Sequence, residues 1–181
     1  MKILKFGGTS VGTAENINTV SSIIAQYHQQ NIVLGVVVSA FGGVTNQLIE
    51  AGKLAAKSDE SYHEVFKAIE NRHLEVVRAL IEVKKQSSAI AQVKLVLNEL
   101  DDLLHGIFLL KELSLRTTDL LLSFGERLSA YIITERLQQD KLPAAFIDTR
   151  KYIKTDKNFG RARVNFAETN QALQDLFTQS S

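Results

Sequence analysis

The chain has 181 residues, 45% hydrophobic and 23% charged, with a formal net charge of +1, the composition of a globular domain with no global field to draw in nucleic acid or a membrane surface. It has no cysteine, which excludes disulfides and thiolate metal centres, and its four histidines (His28, His63, His73, His105) show no ligand-like spacing. No long apolar stretch follows Lys2 and Lys5, and the apolar run at 120–122 is far short of the ~20 residues a bilayer span needs, so a cytoplasmic protein without membrane or nucleic-acid partners is expected.

Taken in chain order, residues 2–6 read as a short strand. A helix follows over 13–30, with Ile17, Val20, Ile23, Ile24 and Tyr27 recurring near every 3.6 residues and Thr13 at its start. IVLGVVV at 32–38 is almost continuously apolar and valine-rich, which predicts a strand covered on both faces, parallel to the first across the helical crossover. Helices are predicted over 45–57, over 62–85 and over 90–104, with the polar break 58–60 after the first and Ser87-Ser88 between the other two. The last two are expected to form an antiparallel hairpin standing off the sheet as an insertion. A helix over 117–139, broken near Gly125, a third strand AAFI at 144–147 after Pro143, and a helix over 166–177 complete the pattern. A single proline and 10 glycines are consistent with long uninterrupted helices. No repeat, charge block or linker appears, so the chain reads as one α/β domain with a layered parallel sheet and a long helical insertion.

Some stretches carry chemistry. In KFGGTS the first strand runs into Gly7 and Gly8, then Thr9 and Ser10. Glycines between a strand and a helix leave backbone N–H groups unobstructed at a helix N-terminus, a place suited to anions, and Lys5 adds a full positive charge. Taken alone, the stretch fits an ordinary βα turn with an exposed lysine somewhat better. It is neither a Walker loop nor a dinucleotide fingerprint, since both glycine patterns are missing. SAFGGVTN repeats the arrangement after the second strand, with Ser39, Gly42, Gly43 and Thr45. Parallel strands put both turns at one rim, where open α/β sheets hold their ligands. In SFGERLSA, Glu126 can accept the ammonium group of a small substrate or simply form a surface pair with Arg127. In FGRARVNF, Arg161 and Arg163 can recognise a carboxylate through a guanidinium fork or form a solvated basic loop.

Together, KFGGTS, VVSAFGGVTN, SFGERLSA, FIDTR and FGRARVNF, in this order over nearly the whole chain, resemble the aspartate kinases of the amino-acid kinase superfamily. LLHGIFLLKEL ahead of TTDLLLSFGERLSA looks more like the bifunctional aspartokinase–homoserine dehydrogenases. The resemblance implies ATP-dependent phosphorylation of the L-aspartate side-chain carboxylate to aspartyl phosphate, opening lysine, threonine and methionine synthesis. It further implies Mg²⁺ with the ATP, and NADP where a dehydrogenase follows. It places Lys5 as the phosphate-stabilising lysine and Gly7 and Gly8, with Thr9 and Ser10, at the phosphates. Ser39 and Thr45 fall in the substrate loop, Glu126 on the carboxylate that holds the substrate amino group, and Arg161 on the arginine that holds its carboxylate. No metal ligand is assigned in this chain.

Asn165 stands where many relatives carry aspartate. Either another carboxylate, such as Asp148, takes over the orientation of the lysines, or the loop aligns differently. Nothing in 1–181 resembles the family's second glycine-rich loop or adenine pocket. The chain therefore reads as the N-terminal, aspartate-binding part of an aspartokinase catalytic domain, without regulatory or dehydrogenase domains. It is expected to be inactive alone, and a homo-oligomer because the sheet is left open. The competing readings are another carboxylate or carbamate kinase of the superfamily, such as a glutamate kinase, a non-catalytic amino-acid sensor, or a helical interaction protein built on 62–104.

Overall fold

The computed structural model of the chain describes residues 1–179. Strand β1 (Lys2–Phe6) leads through helix α1 (Ala14–Gln29) to strand β2 (Leu34–Val38), and the two strands pair in parallel with Lys5 opposite Val37 and Phe6 opposite Val38. Thr13 caps α1, its hydroxyl accepting from the Asn16 amide at 3.2 Å, so the helix starts where the sequence predicts.

The two-sided burial expected of β2 is not found. Leu4, Phe6, Leu34, Val36 and Val38 face the core. The alternate residues Ile3 and Val37 are 61% and 50% exposed. Strand side chains alternate between faces, and only one face of this two-stranded sheet is covered among the described residues.

Helices α2 (Val44–Ala56), α3 (Tyr62–Leu80), α4 (Val83–Leu110) and α5 (Leu115–Gln139) pack on one another. Leu48, Ile69, Val77, Leu97, Leu104, Leu121 and Leu128 are fully or almost fully buried among them. The predicted hairpin exists, but α3 and α4 contact α2 and α5 directly, so they belong to the main core instead of standing off it. Their break lies at Ile81–Glu82, not at Ser87-Ser88, which sit inside α4. Ile81 is buried, and Gln86 closes the end of α3 by donating to the carbonyls of Arg78 and Ile81 at 3.0 and 2.8 Å. Helix α5 runs unbroken through Gly125, which packs against the turn after β2.

Residues 144–147 do not form the predicted third strand. Their apolar character is real, but the sheet contains β1 and β2 only, and 144–147 have no ladder partner among the described residues. Ala144 donates to Leu142 and accepts from the Gln138 side chain, both at 2.8 Å. Phe146 meets Tyr131 edge-on, and Phe146 and Ile147 remain 37% and 40% exposed. A 3-10 turn (Thr149–Lys151) and a single antiparallel bridge between Thr155 and Val164 follow, then α6 (Phe166–Gln179). No described helix is long and apolar enough to cross a membrane.

Candidate functional site

Both glycine turns lie at the carboxyl ends of the parallel strands and touch. The Gly42 amide donates to the Gly8 carbonyl at 3.1 Å, and the Ser39 amide donates to Phe6 at 3.1 Å, extending the ladder to the rim. A β-carbon on Gly8 would lie 3.0 Å from the Ala40 carbonyl oxygen and 3.5 Å from the Gly42 α-carbon. The close approach of two backbones therefore demands glycine there. Gly43, the N-cap of α2, has φ 88°, a left-handed conformation that glycine adopts without strain. Among the described residues the N–H groups of Gly7, Gly8 and Gly43 donate to nothing. Gly7 and Gly43 are exposed and Gly8 is half-buried. Unpaired amides in two adjoining turns, one of them the N-cap of α2, suit an anion.

Lys5 projects from the uncovered face of β1, two residues before Gly7, with no ion pair or side-chain hydrogen bond among the described residues. Thr9, Ser10 and Thr45 are exposed at the same rim, Ser10 turning back to donate from its amide to Gly7 at 2.9 Å. Ser39 is fixed from behind: the Ser129 hydroxyl donates to its carbonyl at 2.7 Å. Next to it, a β-carbon on Gly125 would fall 2.7 Å from Ala40 Cβ, so glycine lets α5 press on this turn. The pressure point delivers Glu126, exposed and with its carboxylate free of ion pairs among the described residues, to the edge of the second turn.

Arg161 arrives separately. The Gly160 amide donates to Asp119 Oδ2 at 2.8 Å, anchoring the 159–161 turn on α5. Asp119 lies two helical turns before Glu126 on the same stripe, about 10 Å away along the axis. Ser39, the paired glycines and Glu126 are thus gathered at one rim. Lys5 lies on the open sheet face two residues before the first turn, and Arg161 lies in the turn held by Asp119 near the start of α5, exposed and without an ion pair among the described residues.

Asn165 and Asp148 are otherwise engaged. Asn165 caps α6: its side-chain oxygen accepts from the Glu168 amide at 3.3 Å while its Nδ2 donates to the Glu168 carboxylate at 2.7 Å. Asp148 is bound by Arg150 through Nε and Nη2, and that guanidinium is the chief cause holding its carboxyl below the usual carboxylate range. Among the described residues neither bonds to Lys5, and the Asp148 carboxylate is paired with Arg150.

Sequence reasoning missed two neighbours on α3. Arg72 donates to the Gly42 carbonyl at 2.6 Å and to the Gly12 carbonyl at 3.1 Å. His73, completely buried, stacks on Phe41 of the second turn with centroids 4.9 Å apart and donates from Nδ1 to Ile69 at 2.7 Å. Among the described residues its Nε2 has no partner, and burial, the leading cause, pulls its pKa down to about 4. The only hint in the sequence was a charged residue beside a buried-stripe position.

Comparison with known proteins bears on this geometry. The profile of the Amino acid kinase family matches residues 1–180. Aspartokinase 1, chloroplastic, of Arabidopsis thaliana is 36% identical over 165 residues, covering 85% of this chain and 28% of that protein. The bifunctional aspartokinase/homoserine dehydrogenase of Buchnera aphidicola is 29% identical over 182 residues, covering 97% of this chain and 22% of the other. Among solved structures, E. coli aspartokinase III in complex with lysine and aspartate superposes with a TM-score of 0.85 at 27% identity, over 99% of this chain and 38% of that one. The same enzyme with aspartate and ADP gives an equal TM-score. The chain thus spans less than a third of the curated relatives' length. With its parallel α/β core and its glycine rim, it belongs to the amino acid kinase family and is aspartokinase-like within it.

Proposed function

We propose that this chain forms the aspartate-facing part of an aspartokinase catalytic domain. One observation carries the reading: the two glycine turns close on each other through Gly42 and Gly8 at 3.1 Å, with the N–H groups of Gly7, Gly8 and Gly43 left without acceptors among the described residues. In this reading an oxygen of the aspartate side-chain carboxylate attacks the γ-phosphorus of ATP, and the bond to the β,γ-bridging oxygen breaks to release ADP. Catalysis of such a transfer is chiefly positioning and charge neutralisation. The amides of Gly7, Gly8 and Gly43 and the Lys5 ammonium offset the negative charge on the transferred group's oxygens while the charge of the attacking carboxylate passes to the leaving oxygen of ADP. Glu126 accepts the substrate ammonium, Arg161 reaches its carboxylate, and Ser39 and Thr45 line the turn between them, with Thr9 and Ser10 beside the phosphates.

Among the described residues no three Asp, Glu or His side chains group tightly enough to hold a metal ion. In this reading Mg²⁺ enters with the nucleotide's phosphates, a role that needs no such cluster. NADP would serve only a dehydrogenase joined to the same protein. Self-association into a homo-oligomer through the uncovered sheet face, where Ile3 and Val37 are exposed, is part of the same proposal. Sedimentation equilibrium that returns a monomer at high concentration removes that part.

Titration calorimetry of the 181-residue chain with L-aspartate, L-glutamate and MgATP tests the central claim. Weak binding of aspartate in preference to glutamate is expected, with no ATP-dependent formation of aspartyl hydroxamate. Turnover by the chain alone would overturn the division of labour, and preference for glutamate would move the reading to another carboxylate kinase.

A further inference from the structure

Arg72 occupies an unusual place. Its guanidinium leaves the middle of α3 and divides its donors between two loops remote in sequence, giving Nη1 to Gly42 at 2.6 Å and Nη2 to Gly12 at 3.1 Å. Gly12 directly precedes Thr13, the N-cap of α1, and Gly42 directly precedes Gly43, the N-cap of α2. The two carbonyls Arg72 grips therefore belong to the peptide units whose N–H groups open the two helices. Neither the Thr13 nor the Gly43 N–H donates a hydrogen bond among the described residues. A cation bound at the oxygen end of a peptide draws electron density from its nitrogen end and makes that N–H a better donor. The same bonds set where each N–H points, because a peptide unit is planar.

We propose that Arg72 is a positioning residue for the anion-binding rim: one guanidinium fastens the starts of α1 and α2 together and aims their free amides at a shared negatively charged group. The inference rests on the kinase reading for the identity of that group and on the hydrogen bonds alone for the clamp. Bidentate reach is essential to the role. A planar fork can serve two carbonyls at once in fixed directions, whereas a lysine ammonium acts as a point charge on a flexible stem. His73 supports the arrangement from the next position, where its ring underlies Phe41 in the turn that Arg72 holds.

The test has two readouts on the full chain. In the first, amide exchange followed by NMR monitors the Gly42 N–H, whose acceptor is the Gly8 carbonyl in the other turn, against core amides of α5 as an internal reference. Arg72→Ala is expected to speed exchange at Gly42 at least tenfold with little change in α5, Arg72→Lys to recover only part of the protection, and guanidinium ion at non-denaturing concentration to restore Arg72→Ala. The second follows chemical-shift titration with inorganic phosphate, where Arg72→Ala is expected to weaken binding tenfold or more. Unchanged Gly42 exchange in Arg72→Ala overturns the clamp, as does full recovery by lysine. Unchanged phosphate affinity, with wild type binding, overturns the positioning role. If the wild-type chain does not bind phosphate, the kinase reading loses its support while the exchange result still decides the clamp. If Arg72→Ala fails to fold, Arg72→Gln, which keeps one donor group, is expected to show the same preferential loss at Gly42, and uniform loss across α5 overturns the inference.

Discussion

The glycine rim and the 140–165 segment are built on opposite principles. At the rim, contacts are backbone to backbone or come from buried and half-buried groups beneath: Gly42 to Gly8, Gly125 against Ala40, Phe41 on His73, and the Arg72 and Ser129 side chains on the carbonyls of Gly12, Gly42 and Ser39. In the 140–165 segment, structure depends on exposed side chains reaching the main chain, as where the Gly160 amide uses Asp119 and the Asn158 amide uses Asp156. Buried contacts are strengthened by low local polarity, while exposed ones compete with water. The rim is therefore expected to hold its form without a ligand, and the distal segment to depend on what surrounds it.

The largest effect that can break this comparison comes from acid. His73 titrates at about 4 in the fold against an ordinary 6.5. Between those values the unfolded chain binds more protons, so stability is intact above about pH 6.5 and falls as pH drops toward 4. The loss reaches about 3 kcal/mol. Urea denaturation from pH 7 to 4.5 should show a decline in wild type that exceeds the decline in His73→Phe by a margin of that order. A pH-independent gap between the two would mean that the rim does not rest on a neutral histidine.

A smaller effect sharpens the contrast at the other region. Asn165→Ala removes the cap of α6 and should cost about 1 kcal/mol. Since the cap acts locally, exchange should rise in the first turn of α6 while the amides around Gly8 and Gly42 keep their protection. Spread of the effect to the rim would show the two regions to be one cooperative unit.

What could be read in the sequence divides along the same line. The parallel strands, the α1 start at Thr13 and the two glycine turns carry strong local signals, and each lies within two residues of its expected position. The third strand failed because AAFI is apolar enough for a strand, but strand formation needs a ladder partner that local sequence does not reveal. The break in the helical hairpin was misplaced because serines are tolerated on a helix, and what ends α3 is the burial of Ile81 with the Gln86 side chain behind it. Asn165 drew attention as a missing charge, whereas its amide serves as a helix cap. Arg72 gave almost no sign, because a charge on an amphipathic helix usually faces water and its two acceptors are 30 and 60 residues away.

The join between the turns separates frame from decoration. Its shape is written in main-chain atoms, through the Gly8 carbonyl, the Gly42 amide and the absence of side chains between them. Thr9, Ser10 and Thr45, which decorate it, point outward and take no part in that join. The frame therefore does not depend on the side chains it presents, and replacing Thr9, Ser10 or Thr45 is expected to leave the Gly42–Gly8 bond in place.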